Sequence, residues 1–224
     1  MMNSKLLFQA LIKFVSGLAA ISLLLLLPAG TFQFWNAWLL IGILFIPMFL
    51  LGIILFLKAP KLLTKRLNTK EKETEQVQVV SLSLVMFLAG FVVAGLDFRF
   101  GWSHLPLWLV ILASIFLLVA YGSYAEVMRE NMYLSRTVEV QENQQVIDTG
   151  LYGVVRHPMY SATVVLFLSM PVILGSVPAF FIFLIYPFLL VKRIKNEEMV
   201  LEQELKGYKE YKRKVKYRLI PFIW

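Results

Sequence analysis

Two short groups of charged residues interrupt a chain that is otherwise mostly apolar. Arg156 and His157 occur in the stretch TGLYGVVRHPMYSA, residues 149–162, directly before a segment without charge. Glu197 and Glu198 follow about forty residues later. Carboxylates near an apolar surface need partners, because burial of an unpaired charge is unfavourable.

The residues around the glutamate pair predict a helix. In RIKNEEMVLEQELK, residues 193–206, Ile194 and Leu201 recur at helical spacing, and Gly207 is typical of a helix end. Glu197 lies between these apolar residues on the same predicted face. The helix would therefore present a carboxylate together with its apolar side.

The elements that must position these residues are membrane helices. The chain has 224 residues and is 59% hydrophobic, whereas soluble domains are about 45–50% apolar. Several stretches approach the roughly 20 apolar residues that cross a bilayer. We predict an all-α integral membrane protein with about six transmembrane helices, the last two forming a short hairpin, and a cytoplasmic C-terminal helical segment. The six segments are residues 9–28, 35–57, 77–96, 106–127, 158–175 and 177–192.

The distribution of basic residues predicts the orientation. If every segment crosses the membrane, Arg99 is the only one of the 22 lysines and arginines on the far side. The positive-inside rule then places the basic side and both termini in the cytoplasm. The basic run at 58–76 is expected to contact anionic lipid. Asp97, Arg99 and His104, on the far side, are interpreted as structural.

Composition excludes several kinds of chemistry. The chain has no cysteine, which excludes disulfides, thiolate catalysis and cysteine-ligated metals. Its two histidines do not suffice for a histidine-rich metal site, so no metal is expected. The net charge of +8 follows from basic loops on one side of a membrane, so no nucleic-acid partner is predicted.

The charged motif and its surroundings resemble the isoprenylcysteine carboxyl methyltransferase and phospholipid methyltransferase superfamily. The resemblance lies in the Arg-His-Pro-x-Tyr motif, the Glu pair forty residues on, the preceding ENMYLSRTVEV and QQVIDTG, and the tail GYKEYKRKVKYRLIPFIW. It covers about residues 125–224. Ala162 stands where the family usually has glycine. The domains expected are 1–128, the N-terminal transmembrane helices, and 129–224, a cofactor-binding catalytic region.

The resemblance implies S-adenosylmethionine as cofactor, with S-adenosylhomocysteine as product, bound at the cytoplasmic end of the last helices. Glu197 or Glu198 would pair with the cofactor's amino group. His157 and backbone N–H groups at the start of the fifth segment would hold its carboxylate, and Pro158 suits a first helical position. The implied cofactor-binding residues are Gly150, Tyr152, Arg156, His157, Pro158, Tyr160, Glu197 and Glu198.

Methyl transfer depends mainly on correct positioning of the reacting atoms. The acceptor implied is lipophilic and embedded in the bilayer, either a prenylcysteine-like carboxylate or a phospholipid-like amine, and a thiol stays open. A carboxylate needs a cation to orient it, whereas an amine needs a base such as a glutamate. The implied catalytic residues are Arg156, Arg193 and Glu197. The implied substrate-binding residues are Asn131, Arg193 and Arg218.

Two other functions compete with this one. The C-terminal half also resembles membrane sterol reductases, which use NADPH, although these tend to lack the adjacent glutamate pair. A scaffold without activity would bind neither cofactor tightly and would tolerate Glu197→Ala. The lipid bilayer is a partner in every case, and the sequence leaves the oligomeric state open.

Structural roles compete with the functional ones at single residues. Arg156 could be an interfacial anchor, and Arg193 with Glu197 could be an ordinary i,i+4 pair on a solvated helix. Tyr208 and Tyr211 are interpreted as packing or interfacial residues.

Overall fold

The structure, a computed structural model, describes residues 2–68, 74–135, 137–138 and 140–224. Within these residues it contains helices and no strand, which confirms the all-α class. A single 3-10 turn, Gly150–Gly153, precedes the sixth helix. The helices are α1 (Met2–Ala29), α2 (Trp35–Lys58), α3 (Pro60–Leu67), α4 (Thr74–Phe100), α5 (Leu107–Glu130), α6 (Pro158–Ile173), α7 (Val177–Phe183), α8 (Ile185–Glu204) and α9 (Tyr208–Lys214).

Several of these helices are long and apolar enough to cross a bilayer. Among the described residues, five stretches have this length and composition, which supports an integral membrane protein. They are Ser4–Ala29, Trp35–Lys58, Glu75–Phe100, Leu107–Glu130 and Val177–Glu204. Helix α6 is apolar but has only 16 residues, a rise of about 24 Å against a hydrocarbon core of about 30 Å. The count of six spans therefore stays a prediction.

The end of the chain departs from the predicted segments. The sequence suggested a sixth segment ending at residue 192 and a separate helix at 193–206, but α8 continues from Ile185 to Glu204 without a break. The interruption falls earlier, at Leu184, between α7 and α8. Pro187 explains it, because proline has no N–H to bond the carbonyl four residues before it.

Helix α3 was not anticipated within the basic run at 58–76. Proline at its first position is typical of a helix start. Arg66 of α3 donates to the carbonyl of Ser135 (3.3 Å) and lies over the Tyr124 ring, 5.3 Å from its centroid. The helix therefore lies against the segment that follows α5. Residues 69–73 of the same run lie outside the described residues.

A buried polar cluster fixes one end of the helix bundle. Asp97, near the end of α4, is 2% exposed. Its carboxylate accepts hydrogen bonds from the Ser103 backbone N–H and hydroxyl, both 2.8 Å, and from the Ser176 hydroxyl, 2.5 Å. The cluster ties α4 to the turn before α7 and satisfies the buried charge, in agreement with the structural role expected of Asp97.

The other end of α4 is pinned to α8. Gln76 is fully buried, and its amide nitrogen donates to the Arg193 carbonyl (3.1 Å) and to the Asn196 side chain (2.6 Å). Helix α6 packs along α5 over most of its length, and α4 also packs against α1 and α7. These contacts bring the start of α6 and the second half of α8 together.

Candidate active site

A buried ion pair joins the two charged groups of the sequence. Arg156 lies two residues before the start of α6, and Glu198 lies on α8. Their side chains are 4% and 3% exposed. The Arg156 Nε donates to Glu198 Oε1 at 2.7 Å. Breaking such a pair from one side leaves an uncompensated charge away from water, so the two residues depend on each other.

The C-terminal tail, residues 215–224, completes the surroundings of Arg156. Its guanidinium also donates to the carbonyls of Val215 (2.7 Å) and Lys216 (2.8 Å). The backbone N–H of Arg156 donates to Tyr217, and that of His157 donates to Arg218, each at 2.9 Å. The tail therefore runs alongside the residues that enter α6.

These backbone bonds correct one expectation about the start of α6. The sequence suggested that N–H groups there would hold an anionic ligand group. The N–H groups of Arg156 and His157 are already bonded to the tail, and Pro158 has none. These two N–H groups are therefore not available to an anion, and the role of the remaining N–H groups of the first turn stays a prediction.

Arg218 lies on the other side of Glu198. Its Nε and Nη2 are 3.0 and 2.9 Å from Glu198 Oε2, and its guanidinium lies over the Trp224 ring, 5.0 Å from the centroid. Lys212 Nζ is 4.0 Å from the same oxygen. Several basic side chains thus compensate the Glu198 charge, which identifies Glu198 as the centre of the buried cluster.

Glu197 has different surroundings from its neighbour. Its side chain is 23% exposed, and its Oε2 accepts a hydrogen bond from the Tyr160 hydroxyl at 2.5 Å. The same hydroxyl oxygen accepts from Arg193 Nε at 2.8 Å. Tyr160 therefore links a carboxylate and a guanidinium that belong to consecutive turns of α8. This linked triad is the part of the charged constellation that is open to a ligand.

His157 lies between the two glutamates. Its Nε2 is 3.3 Å from Glu198 Oε1, and its Nδ1 is 4.0 Å from Glu197 Oε1. A carboxylate accepts but does not donate, so the first contact requires a proton on Nε2. The imidazole also stacks on the Tyr160 ring, with centroids 5.6 Å apart. His157 thus connects the buried cluster with the linked triad.

A pocket, called here the polar pocket, collects most of the residues predicted for the site. It lies between the segment after α5, the start of α6, and helices α8 and α9. The predicted residues in its wall are Asn131, Tyr152, Arg156, His157, Pro158, Tyr160, Arg193 and Glu197. Gly150, Glu198 and Arg218 are not among the residues that line it. Glu198 contacts Arg156 and His157 of the wall, and Arg218 contacts Glu198.

Gly150 has a backbone role that explains its residue type. Its φ is +50°, a left-handed conformation that glycine adopts without strain, and a Cβ there would overlap the Glu130 carboxylate. The turn that it begins places Tyr152 in the pocket wall, where the Tyr152 hydroxyl accepts from the Asn131 side chain at 2.9 Å. Burial raises the pKa of Tyr152 to about 12, so this hydroxyl stays protonated at neutral pH.

Two tyrosines of α9 also line the polar pocket, a placement that the sequence did not predict. Both are buried, as expected of packing residues. Tyr211 donates to the carbonyl of Tyr152 at 2.8 Å, whereas Tyr208 has its hydroxyl buried without a partner among the described residues. The pattern GYKEY contained a signal, since tyrosines three residues apart lie on one side of a helix.

A second, apolar depression lies between α4 and α8 and reaches α6. This α4–α8 groove is lined by Val79, Val80, Ser83, Leu84, Phe87, Phe167, Tyr186, Leu190 and Arg193. Arg193 is the only ionised residue in that set. Since Arg193 also lines the polar pocket, one side chain borders both spaces.

Fold and site together define a polytopic membrane protein with a charged pocket where its last helices meet. Residues 107–203 match the sequence pattern of the isoprenylcysteine carboxyl methyltransferase (ICMT) family. The match confirms the resemblance seen in the sequence and supports a membrane methyltransferase. It begins at the first residue of α5 and includes the buried ion pair and the linked triad, but not α9 or the tail.

A curated relative is similar over part of the same region. It is the Delta(14)-sterol reductase TM7SF2 of Mus musculus, 31% identical over 91 residues, which are 39% of this chain. The chain spans about a fifth of that protein's length, since the matched part is 22% of it.

Proposed function

We propose that this chain is an S-adenosylmethionine-dependent methyltransferase whose acceptor is a lipophilic molecule in the bilayer. The observation that carries the proposal is the position of Arg193, which borders both the polar pocket and the lipid-compatible α4–α8 groove. A water-soluble cosubstrate and a lipid could each reach this residue from its own side. The division into residues 1–128 for the membrane and 129–224 for catalysis stays part of this proposal.

The polar pocket fits the proposed cofactor by the chemistry of its walls. Glu197 offers a carboxylate to the cationic amino group, and His157 lies next to it. Val146, Leu201 and Leu205 form an apolar wall suited to a nucleoside base. When bound, S-adenosylmethionine supplies a methyl group carried on a positively charged sulfur.

The linked triad would then orient the acceptor. Arg193 attracts an anionic group at the inner end of the groove, which favours a carboxylate acceptor such as a prenylcysteine. Tyr160 holds the Arg193 guanidinium at a fixed distance from Glu197 through its two hydrogen bonds. For an amine acceptor, such as a phospholipid headgroup, Glu197 is the residue placed to accept a proton. Arg156 acts here through Glu198, as a positioning residue.

Ligand binding tests the proposal most directly. We would titrate the detergent-purified chain with S-adenosylmethionine, S-adenosylhomocysteine and NADPH by calorimetry. The matched variants are Glu197→Gln and Glu204→Gln, which make the same change on one helix, with Glu204 exposed and outside the polar pocket. Binding of both adenosyl ligands that weakens only in Glu197→Gln would support the proposal. Absence of adenosyl binding in the wild-type chain would overturn it.

The similarity to a sterol reductase supports a second candidate, an NADPH-dependent membrane reductase. This candidate expects binding of NADPH without the adenosyl ligands, and no particular need for a carboxylate at residue 197. The same titration therefore separates the two candidates. Transfer of a labelled methyl group to lipophilic carboxylates or amines would then identify the class of acceptor.

The proposal also includes the orientation, with both termini and the polar pocket in the cytoplasm. The absence of cysteine makes this testable, because single cysteines can be introduced without background. Lys209→Cys on α9 and Trp102→Cys after α4 are both at exposed positions. A membrane-impermeant thiol reagent applied to intact cells should label only Trp102→Cys, and the reverse pattern would invert the topology.

A further inference from the structure

Tyr208 lines the polar pocket and carries a buried hydroxyl that the structure does not otherwise use. The residue is 4% exposed and begins α9 directly after Gly207, whose φ is +87°. Its hydroxyl has no hydrogen-bond partner within the part of the chain that the structure describes. Buried hydroxyls are nearly always paired, so one that lines a pocket marks a place for a ligand atom.

The neighbouring Tyr211 shows that an unpaired hydroxyl is specific to Tyr208. The two rings lie 5.7 Å apart and both line the polar pocket. The Tyr211 hydroxyl is engaged by the carbonyl of Tyr152. Packing alone therefore explains Tyr211 but leaves the Tyr208 hydroxyl without a function.

The surroundings of Tyr208 indicate which part of a ligand it meets. Its ring belongs to a small apolar cluster that includes Leu205, Val146 and Leu201, and these three also line the polar pocket. The charged triad lies on the α6 side of the same pocket. The pocket thus has a charged end and an apolar end, and the Tyr208 ring packs with the apolar one.

The protonation state of the Tyr208 hydroxyl allows it to donate a hydrogen bond. Burial raises the pKa of Tyr208 well above its usual value near 10. The group therefore keeps its proton at neutral pH, and its oxygen can also accept.

We infer that the Tyr208 hydroxyl binds the nucleoside part of the adenosyl ligand, opposite the charged end that receives the amino-acid part. The inference rests on the proposed function. It assigns to α9, which lies outside the family match, a direct role in ligand binding.

The test compares Tyr208→Phe with Tyr211→Phe in the full-length, detergent-purified chain, using S-adenosylhomocysteine as the probe. Tyr208→Phe should raise the Kd about 5- to 10-fold, the worth of one hydrogen bond, and should not lower the melting temperature of the ligand-free protein. Tyr211→Phe should lower that melting temperature, because its hydroxyl bond is made without ligand. An unchanged Kd in Tyr208→Phe, with wild-type binding intact, would overturn the inference and leave the proposed function standing. Absence of binding in the wild-type chain would overturn both.

A double variant tests the assignment to the nucleoside part. If Tyr208 and Glu197 contact different ends of the ligand, the losses in Tyr208→Phe and Glu197→Gln should multiply in the combined variant. A combined loss no larger than the greater single loss would place both residues on one ligand group and overturn the assignment.

Discussion

Arg156 and Glu198, which are 42 residues apart in the chain, form an ion pair of 2.7 Å from which solvent is almost excluded. The pair fixes the start of α6 to the middle of α8 and, through the other hydrogen bonds of Arg156, to the tail. It thereby sets the position of the groups that face the polar pocket.

Removal of Glu198 should destabilise the protein strongly. Glu198→Ala leaves Arg156 without its charge partner in a buried position, which typically costs about 3–5 kcal/mol. Thermal unfolding of the purified variant measures this as a lower melting temperature. The matched control is Glu202→Ala on the same helix, whose partner Lys212 is partly exposed, and it should change stability by less than about 1 kcal/mol. Equal effects of the two variants would contradict the role of the buried pair.

Removal of the Tyr160 hydroxyl should affect turnover more than cofactor binding. Tyr160→Phe keeps the ring on His157 but breaks the link between Arg193 and Glu197. We expect methyl transfer to fall about 10- to 100-fold, as for the loss of one or two charge-assisted hydrogen bonds. The Kd for S-adenosylhomocysteine should change much less. Tyr217→Phe in the tail is the control, and a turnover defect as large there would count against the triad.

A bulky residue in the α4–α8 groove should impair use of the lipophilic acceptor. Leu84 lines the groove, whereas Leu82 has similar exposure, 53% against 58%, and does not line it. Leu84→Trp should raise the KM for the acceptor and leave the Kd for S-adenosylhomocysteine unchanged. Leu82→Trp should leave both constants unchanged, and a similar KM in the two variants would exclude this groove as the acceptor's route.

Substitution of Gly150 should be unfavourable for two independent reasons. Gly150→Ala introduces a side chain at a φ of +50°, which costs about 1–2 kcal/mol, and places the new Cβ against the Glu130 carboxylate. The melting temperature should fall, and Glu130→Ala should restore part but not all of it. Gly122→Ala is the control, because a Cβ there meets nothing within 4 Å and alanine favours a helix. Complete rescue by Glu130→Ala would show that backbone strain contributes nothing.

Hydrophobic length predicted the membrane helices well and their ends less well. The second segment, expected at 35–57, is Trp35–Lys58, because apolar length and a basic end both mark it. The first begins earlier than expected and continues one residue past Pro28. The fusion of the predicted sixth segment with the following helix was missed because a change from apolar to charged residues alters the environment of a helix without ending it.

The motif predicted which residues lie together in the site but not which contacts each of them makes. Arg156, His157 and the glutamate pair do come together, as their types and spacing suggested. Which glutamate is buried depends on residues 212 and 218, and such contacts between distant parts of the chain leave no periodic trace in a sequence. For the same reason the hydroxyls of Tyr208 and Tyr211, alike in sequence, differ in the folded chain.

The hydrogen bonds between Arg156 and residues 215–218 also set an order of assembly during synthesis. The membrane helices can insert one after another as the ribosome delivers them, but the guanidinium of Arg156 has no complete set of acceptors until the tail has emerged. A nascent chain halted before residue 215 would contain the described helices α1 to α9 and an unfinished site. Insertion of the helices and completion of the site are therefore separate stages in the synthesis of one chain. A pulse-chase experiment can distinguish them.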